Sequence, residues 1–253
     1  MSEIEFRLEG HTAVMTVNRP QARNAINAAV ARGLSDGYAR IVADPAIRVG
    51  VLTGAGGHFC SGMDLKAFVA GEAIDISGVP YGGANNRVVN KPMIAAVEGS
   101  ALAGGFELAL TCDLIVASRA ARFGLPEVKR GLVASGGGLV KLTRQAPVRV
   151  AMEMLLTGEP MDAERLHAHG VVNRLAPEGE ALAVALALAD TIAANGPLAL
   201  EVTMIVARRA LDWPASEAFD RQREFTAPVF QSADAREGAL AFAEKRKPRW
   251  TGA

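Results

Sequence analysis

One pattern limits the fold of this chain more than any other. A short apolar run, a glycine-rich turn and the start of a helix occur in that order twice. Val49-Gly50-Val51-Leu52-Thr53 runs into Gly54-Ala55-Gly56-Gly57 and on to Ser61-Gly62-Met63. Met93 to Val97 runs into a turn of small residues, Gly99 to Gly105, and a helix is predicted from about Gly104 through Leu110. Gly62 and Gly104 therefore occupy equivalent places. Short, uninterrupted apolar runs between turn residues read as strands buried on both faces. Their recurrence predicts an α/β protein built of stacked ββα units, not one doubly wound sheet.

The other elements fit around this core. Residues 3–18 alternate apolar and polar on both sides of Gly10-His11, which predicts a β-hairpin. Asn27 reads as the N-cap of a helix from Ala28 to Val42, ending before Asp44-Pro45. Residues 69–90 read as loop, with Gly71, Gly78, Pro80, Gly82 and Gly83 and no period. Leu114 to Ala117 is a third strand. From Gly136 the pattern turns helical, over 137–145, 147–157 and 161–169. A last strand is expected at Val171–Leu175, then helices over 180–195, 197–212, 215–230 and 232–244. Gly196-Pro197 marks a subdomain boundary, dividing a core of residues 1–195 from a helical segment of residues 196–253. Its apolar stripe of Leu198, Val202, Ile205, Val206 and Ala210 needs a surface to pack on, and a neighbouring subunit could supply one.

Composition excludes several classes of function. A chain of 253 residues can bury a large core without disulfides or a structural metal. Its 27 basic and 27 acidic side chains cancel, which argues against nucleic acid or an acidic membrane as partner. The acidic start, Met1 to Glu5, is unlike a signal peptide. The longest apolar run, Ala181 to Ala189, is far short of the ~20 residues a membrane span needs. Cys60 and Cys112 have no metal-type spacing and read as reduced thiols, so a cytoplasmic location is expected. His167 and His169, two apart on a predicted helix, face different sides and suggest no metal. Phosphate loops and nucleophile elbows are absent, and Phe59 stands where a dinucleotide fingerprint needs its third glycine.

Chemistry concentrates in residues 93–132. Ala103-Gly104-Gly105 ends a strand and opens a helix, where backbone N–H groups are unpaired and the helix dipole favours negative charge. Met63, after Gly62, offers a second amide of the same kind. Two amides converging on one oxygen would form an oxyanion hole. Glu107 falls in the first turn of an otherwise apolar helix, and Glu127 follows a proline in apolar surroundings. Such carboxyls are candidates for general acid or base. Taken alone, Glu107 also fits simple dipole complementation, and Glu127 an ordinary helix start.

The segments taken together resemble a known family. They are Asn18-Arg19-Pro20 with Asn24-Ala25-Ile26-Asn27; Leu52-Thr53-Gly54 with Phe59-Cys60-Ser61-Gly62-Met63-Asp64-Leu65; and Lys91-Pro92 with Ala95-Ala96-Val97-Glu98-Gly99. Ala103-Gly104-Gly105, Glu107-Leu108, Cys112-Asp113, Phe123 to Glu127, Leu156-Thr157-Gly158 and Gly170 to Asn173 continue the match. The pattern resembles the crotonase family, the enoyl-CoA hydratase/isomerase superfamily. That resemblance implies a crotonase-type spiral of ββα units, a C-terminal helical trimerisation subdomain, a homotrimer or dimer of trimers, and acyl-CoA substrates. No cofactor is implied beyond the coenzyme A thioester that is itself the substrate.

By motif position, Met63 and Gly104 would be the oxyanion amides. Glu107 and Glu127 would be the catalytic pair, whose joint presence favours hydration of a 2-trans-enoyl-CoA, a lyase reaction of fatty acid β-oxidation. Ala22, Arg23, Ala25, Cys60, Ser61, Gly62, Asp64, Leu65, Ala103 and Gly105 would line the CoA and substrate site. Phe242 and Lys245 would reach the CoA of a neighbouring subunit. The C-terminal sequence and Met63-Asp64-Leu65-Lys66-Ala67 also resemble the carnitinyl-CoA dehydratase branch, so a crotobetainyl-CoA hydratase is an alternative. Enoyl-CoA isomerases and RNA-binding relatives are others. The latter use a lysine-rich helix, whereas Ala28 to Val42 holds only Arg32 and Arg40. Ala103 replaces the first glycine of a common triple-glycine run. Loop 69–90, expected to shape the acyl pocket, carries nothing diagnostic.

Overall fold

The structure is a computed structural model that describes residues 3–72 and 89–253. The hairpin forms as the alternation predicts: β1 (Ile4–Glu9) pairs antiparallel with β2 (Thr12–Val17) across Gly10-His11. Asn27 then caps α1 (Ala28–Ala43), its side-chain oxygen accepting from the Val30 N–H at 2.9 Å. The apolar runs become β3 (Val49–Gly54), β4 (Met93–Val97) and β6 (Leu114–Ser118). With β9 (Arg174–Ala176) they extend the sheet in the order β1-β2-β3-β4-β6-β9, parallel from β2 onward.

From β2 to β6 both faces of this sheet are buried, and the period of two along each strand decides which residue faces where. Val14, Val51, Ile94, Ala96 and Val116 face α7 (Ala181–Ala193), whose Ala181, Ala185 and Ala189 let the helix approach closely. Met15, Leu52, Ala95, Val97, Ile115 and Ala117 face the larger core, which also holds Val30, Leu34 and Ile41 of α1. Each valine, leucine, isoleucine or methionine so taken from water stabilises the fold by about 1.5–3 kcal/mol, and each alanine by less, before the entropy of ordering is counted.

A second, smaller sheet stacks β5 (Ser100–Leu102), β7 (Arg122–Gly124) and β8 (Met161–Asp162). It carries α3 (Gly104–Thr111) and a 3-10 helix, Pro126–Arg130. This is the layered ββα arrangement the repeat predicts. Then come α4 (Gly138–Gln145), α5 (Val148–Thr157), α6 (Ala163–Ala168), α8 (Pro197–Ala210), α9 (Ala218–Val229) and α10 (Ala233–Ala243). An additional short helix, α2 (Leu65–Val69), precedes the predicted loop. Of that loop, residues 73–88 lie outside the described residues. Among the described residues no single helix is long and apolar enough to cross a membrane.

Three expected starts move by two or more residues. The last strand starts at Arg174, not Val171. The Asn173 side chain accepts from the Ile115 N–H at 2.7 Å while its own N–H donates to Ile115 O, so a side chain takes a strand's place there. The helix expected over 161–169 begins at Ala163. Met161 and Asp162 pair with β7 instead, and Asp162 caps α6 through the Arg165 N–H at 2.7 Å. The helix expected from 215 starts at Ala218.

Candidate active site

The site is built where the two glycine turns meet. After β3 the chain loops back, and buried Asn24 clamps the loop. Its Nδ2 donates to Ala55 O at 2.9 Å and His58 O at 2.7 Å, while its Oδ1 accepts from the Arg19 N–H. Phe59, which breaks the dinucleotide pattern, is a core residue. Cys60 pairs with Ala101 of β5: its N–H donates to Ser100 O, and its carbonyl accepts from the Leu102 N–H at 2.9 Å. That pairing lays residues 60–63 against the start of α3. Gly62 has φ +94°, and a Cβ placed there would lie 2.7 Å from Ala103 Cβ and 3.0 Å from Gly104 N. Only glycine fits both the backbone conformation and the gap. Gly105 is equally confined, by the Cys60 carbonyl.

These contacts bring the two expected amides together. The Ile26 N–H donates to Gly62 O and the Asp64 N–H to Ile26 O, a parallel bridge that turns the Met63 N–H to the other side. Among the described residues neither the Met63 N–H nor the Gly104 N–H has an acceptor. Gly104 opens α3, so the dipole of that helix adds to its amide. Ala103, the N-cap, has φ +49° and ψ −128°, a conformation that costs a non-glycine residue roughly 1–3 kcal/mol. Its N–H donates to Gly124 O, and its carbonyl accepts from the Phe106 and Glu107 N–H groups. The strain thus sits at the peptide that aims the Gly104 N–H.

The two glutamates stand in different surroundings. Glu107, one turn into α3, is fully buried, and its Oε1 accepts from the Gly138 N–H at 2.9 Å. Glu127, in the 3-10 helix, is half-buried; its Oε2 is shielded from solvent and has no hydrogen-bond partner among the described residues. Loss of hydration pushes the Glu127 carboxyl up to about 7. Its own backbone N–H opposes this, the Glu107 charge adds to it, and Arg130 opposes it. The Glu107 carboxyl is therefore near enough for its charge to act on Glu127.

The family model described as "Enoyl-CoA hydratase/isomerase" matches residues 7–253. The chain belongs to the enoyl-CoA hydratase/isomerase family. As a member it is 43% identical over 248 residues to enoyl-CoA hydratase EchA19 of Mycobacterium tuberculosis, covering 95% of this chain and 93% of that protein. It is 39% identical over 257 residues to carnitinyl-CoA dehydratase of Proteus mirabilis, covering 98% of each. The crystal structure of enoyl-CoA hydratase EchA1 from Mycobacterium marinum superposes with a TM-score of 0.97 at 52% identity, over the whole of both chains. The fold is the crotonase fold.

The remaining expected residues of this family member fall into three groups. Ala22, Arg23 and Ala25 lie beside the oxyanion loop: the Ser61 N–H donates to Arg23 O, and the Ser61 hydroxyl lies 3.5 Å from Ala22 O. Arg23 itself is exposed, in a left-handed conformation (φ +48°). Asp64 and Leu65 start α2. Asp64 caps it through the Lys66 and Ala67 N–H groups and pairs with Arg19 at 3.2 Å, interactions that hold its carboxyl below the usual range against partial desolvation. Cys60 is fully buried, and burial pushes its thiol up to about 12, so this residue contributes backbone and packing, not a nucleophile.

Phe242 and Lys245 form the third group, at the end of α10. Phe242 is 87% exposed and Lys245 is exposed. Nearby Arg246 is engaged by Glu237 at 2.6 Å and Glu244 at 2.6 Å, an arrangement that lowers the Glu237 carboxyl to about 2. Two structural partners of the site carry little signal in the sequence. Asn24 appears there only as part of a motif. Gly138 was not singled out, although the run Gly136-Gly137-Gly138 before a helix is the kind of signal that marks a close backbone approach.

Proposed function

We propose that this chain hydrates a 2-trans-enoyl-CoA to the 3-hydroxyacyl-CoA. One observation carries the reading: two acceptor-free amides, Met63 and Gly104, are built beside two electrostatically coupled carboxyls, Glu107 and Glu127. Both glutamates hold a water. Glu107 accepts a proton from it as its oxygen bonds to C3. The electron pair of the double bond moves toward the thioester oxygen, and the Met63 and Gly104 N–H groups stabilise the enolate oxygen that forms. Protonated Glu127 then delivers its proton to C2. No redox partner or metal enters this balance.

Coenzyme A lies along Ala22, Arg23 and Ala25, and the thioester along Cys60 to Leu65 and Ala103 to Gly105. Residues 196–253 serve as the oligomerisation subdomain of a homotrimer or a dimer of trimers. Phe242 and Lys245 reach the CoA of a neighbouring subunit, where a cation suits the phosphates. The setting is fatty acyl breakdown in the cytoplasm. A polar acyl group such as crotobetaine is the second reading, favoured by 39% identity to a carnitinyl-CoA dehydratase over nearly the whole chain. Hydration of crotonyl-CoA, followed by loss of its absorbance near the ultraviolet thioester band, tests the first reading. Glu107→Gln and Glu127→Gln should each lower kcat by about 10²–10⁴. Full activity in the double variant would remove the glutamates from the mechanism. A side-by-side panel with crotobetainyl-CoA separates the two substrates.

A further inference from the structure

Glu107 is approached by a second helix. The Gly138 N–H that donates to its Oε1 is the first amide of α4, and Gly137 before it turns the chain at φ +117°. A Cβ at Gly138 would lie 3.1 Å from that same oxygen, 2.9 Å from Ala134 Cβ and 3.0 Å from Leu125 Cδ1. The amide reaches the carboxylate because no side chain intervenes. This is not a helix capping itself: the acceptor comes from α3, 31 residues earlier, and is fully buried.

Among the described residues, the charged groups near Glu107 come from the 3-10 helix and α4. α3 carries no other ionisable side chain except at its end, where Cys112 and Asp113 follow, and β5 carries none. The 3-10 helix presents Glu127 with Arg130 behind it. α4 presents Lys141, half-buried, which also feels Cys112, Asp113 and Arg208 of α8; Arg208 is itself paired with Asp113. The two carboxyls are thus unequal: one accepts an amide at a helix N-terminus, the other has an unpartnered shielded oxygen.

We propose that Gly138 is a positioning residue that divides the labour of the pair: its N–H holds Glu107 as the carboxylate and fixes its rotamer, so the proton of the pair resides on Glu127. A hydrogen bond to the charged form favours that form, and the N-terminal dipole of α4 acts in the same direction. The inference rests on the reading of Glu107 and Glu127 as base and acid, but it is tested apart from it.

The first experiment is an amide NMR titration of the intact protein, which needs no turnover. The Gly138 amide proton should resonate downfield and move upfield as Glu107 takes up a proton, and Glu107→Gln should abolish the titration. A Gly138 signal that does not titrate, or that titrates identically in Glu107→Gln, overturns the proposal. The second compares Gly138→Pro with Gly138→Ala, both in an Ala134→Gly background that relieves the nearest contact. Both variants carry a Cβ and only proline lacks the N–H, at a helix position that tolerates it. The acid limb of kcat/KM for crotonyl-CoA should lie about one pH unit higher in the proline variant, with KM little changed. Coincident profiles overturn the proposal. A wild-type protein that turns over no enoyl-CoA refutes the hydratase reading instead and leaves the NMR result to decide this one.

Discussion

At the scale of single residues, Glu127 is the informative one. Its folded pKa of about 7 lies above the ordinary 4.5. The folded state therefore binds this proton more tightly than the unfolded chain does. The corresponding stability is complete below pH 4.5 and is lost as pH rises through 7. Glu127→Gln should remove that loss: thermal melts from pH 5 to 9 should converge or cross, with the variant relatively more stable at the alkaline end. Wild-type and variant curves that stay parallel would show that the carboxyl is not desolvated. In the proposed reaction this proton is the one delivered to C2, so kcat/KM for hydration should decline above about pH 7. A flat alkaline limb would contradict the acid role. Glu107 and Glu127 were legible as a pair only through the motifs around them, since an acid in the first turn of a helix is by itself ordinary. The difference between them was not. It depends on Gly138, which α4 brings in from a distant stretch of chain.

At the scale of elements, the oxyanion loop is held by closely fitted backbone. Gly62→Ala would force a positive φ on alanine and place its methyl 2.7 Å from Ala103 Cβ. It should cost roughly 1–3 kcal/mol in stability and lower kcat more than the loss in stability explains. A variant with normal kcat would show that the loop tolerates the shift and that the two amides need no fixed spacing. Asp64→Ala should remove the α2 cap and the Arg19 pair, costing about 1 kcal/mol in a denaturant melt. Strands β3 and β4 and helices α1 and α3 were legible because the strands are uninterrupted apolar runs, Asn27 caps α1 and a glycine turn opens α3. Strands β5, β7 and β8 span three, three and two residues, too short to show a period. They exist because the stacked turns need a second layer, which is tertiary information. The displacement of β9 has the same origin, since Asn173 pairs by its side chain with a strand far away in sequence.

At the scale of the whole molecule, no residue of helices α8 and α9 is fully buried, and Leu211, Phe219 and Phe230 are each more than three-quarters exposed. Apolar surface of that kind is what the proposed trimer would cover. Phe219→Asp with Phe230→Asp should shift sedimentation from trimer toward monomer, with the circular dichroism of the core unchanged. An unchanged sedimentation coefficient would move the subunit contact elsewhere. The fold also leaves a built-in clock. The chain has two cysteines, Cys60 under the oxyanion loop and Cys112 after α3; both are buried, with thiols raised to about 12. An alkylating reagent can modify either one only while its cover is open, so each labelling rate measures a local opening equilibrium. Acyl-CoA should slow Cys60 much more than Cys112, and Gly62→Ala should quicken Cys60 alone. Mass spectrometry of the two peptides would then follow the breathing of the loop at residues 60–63 separately from the unfolding of the core, with no cysteine introduced.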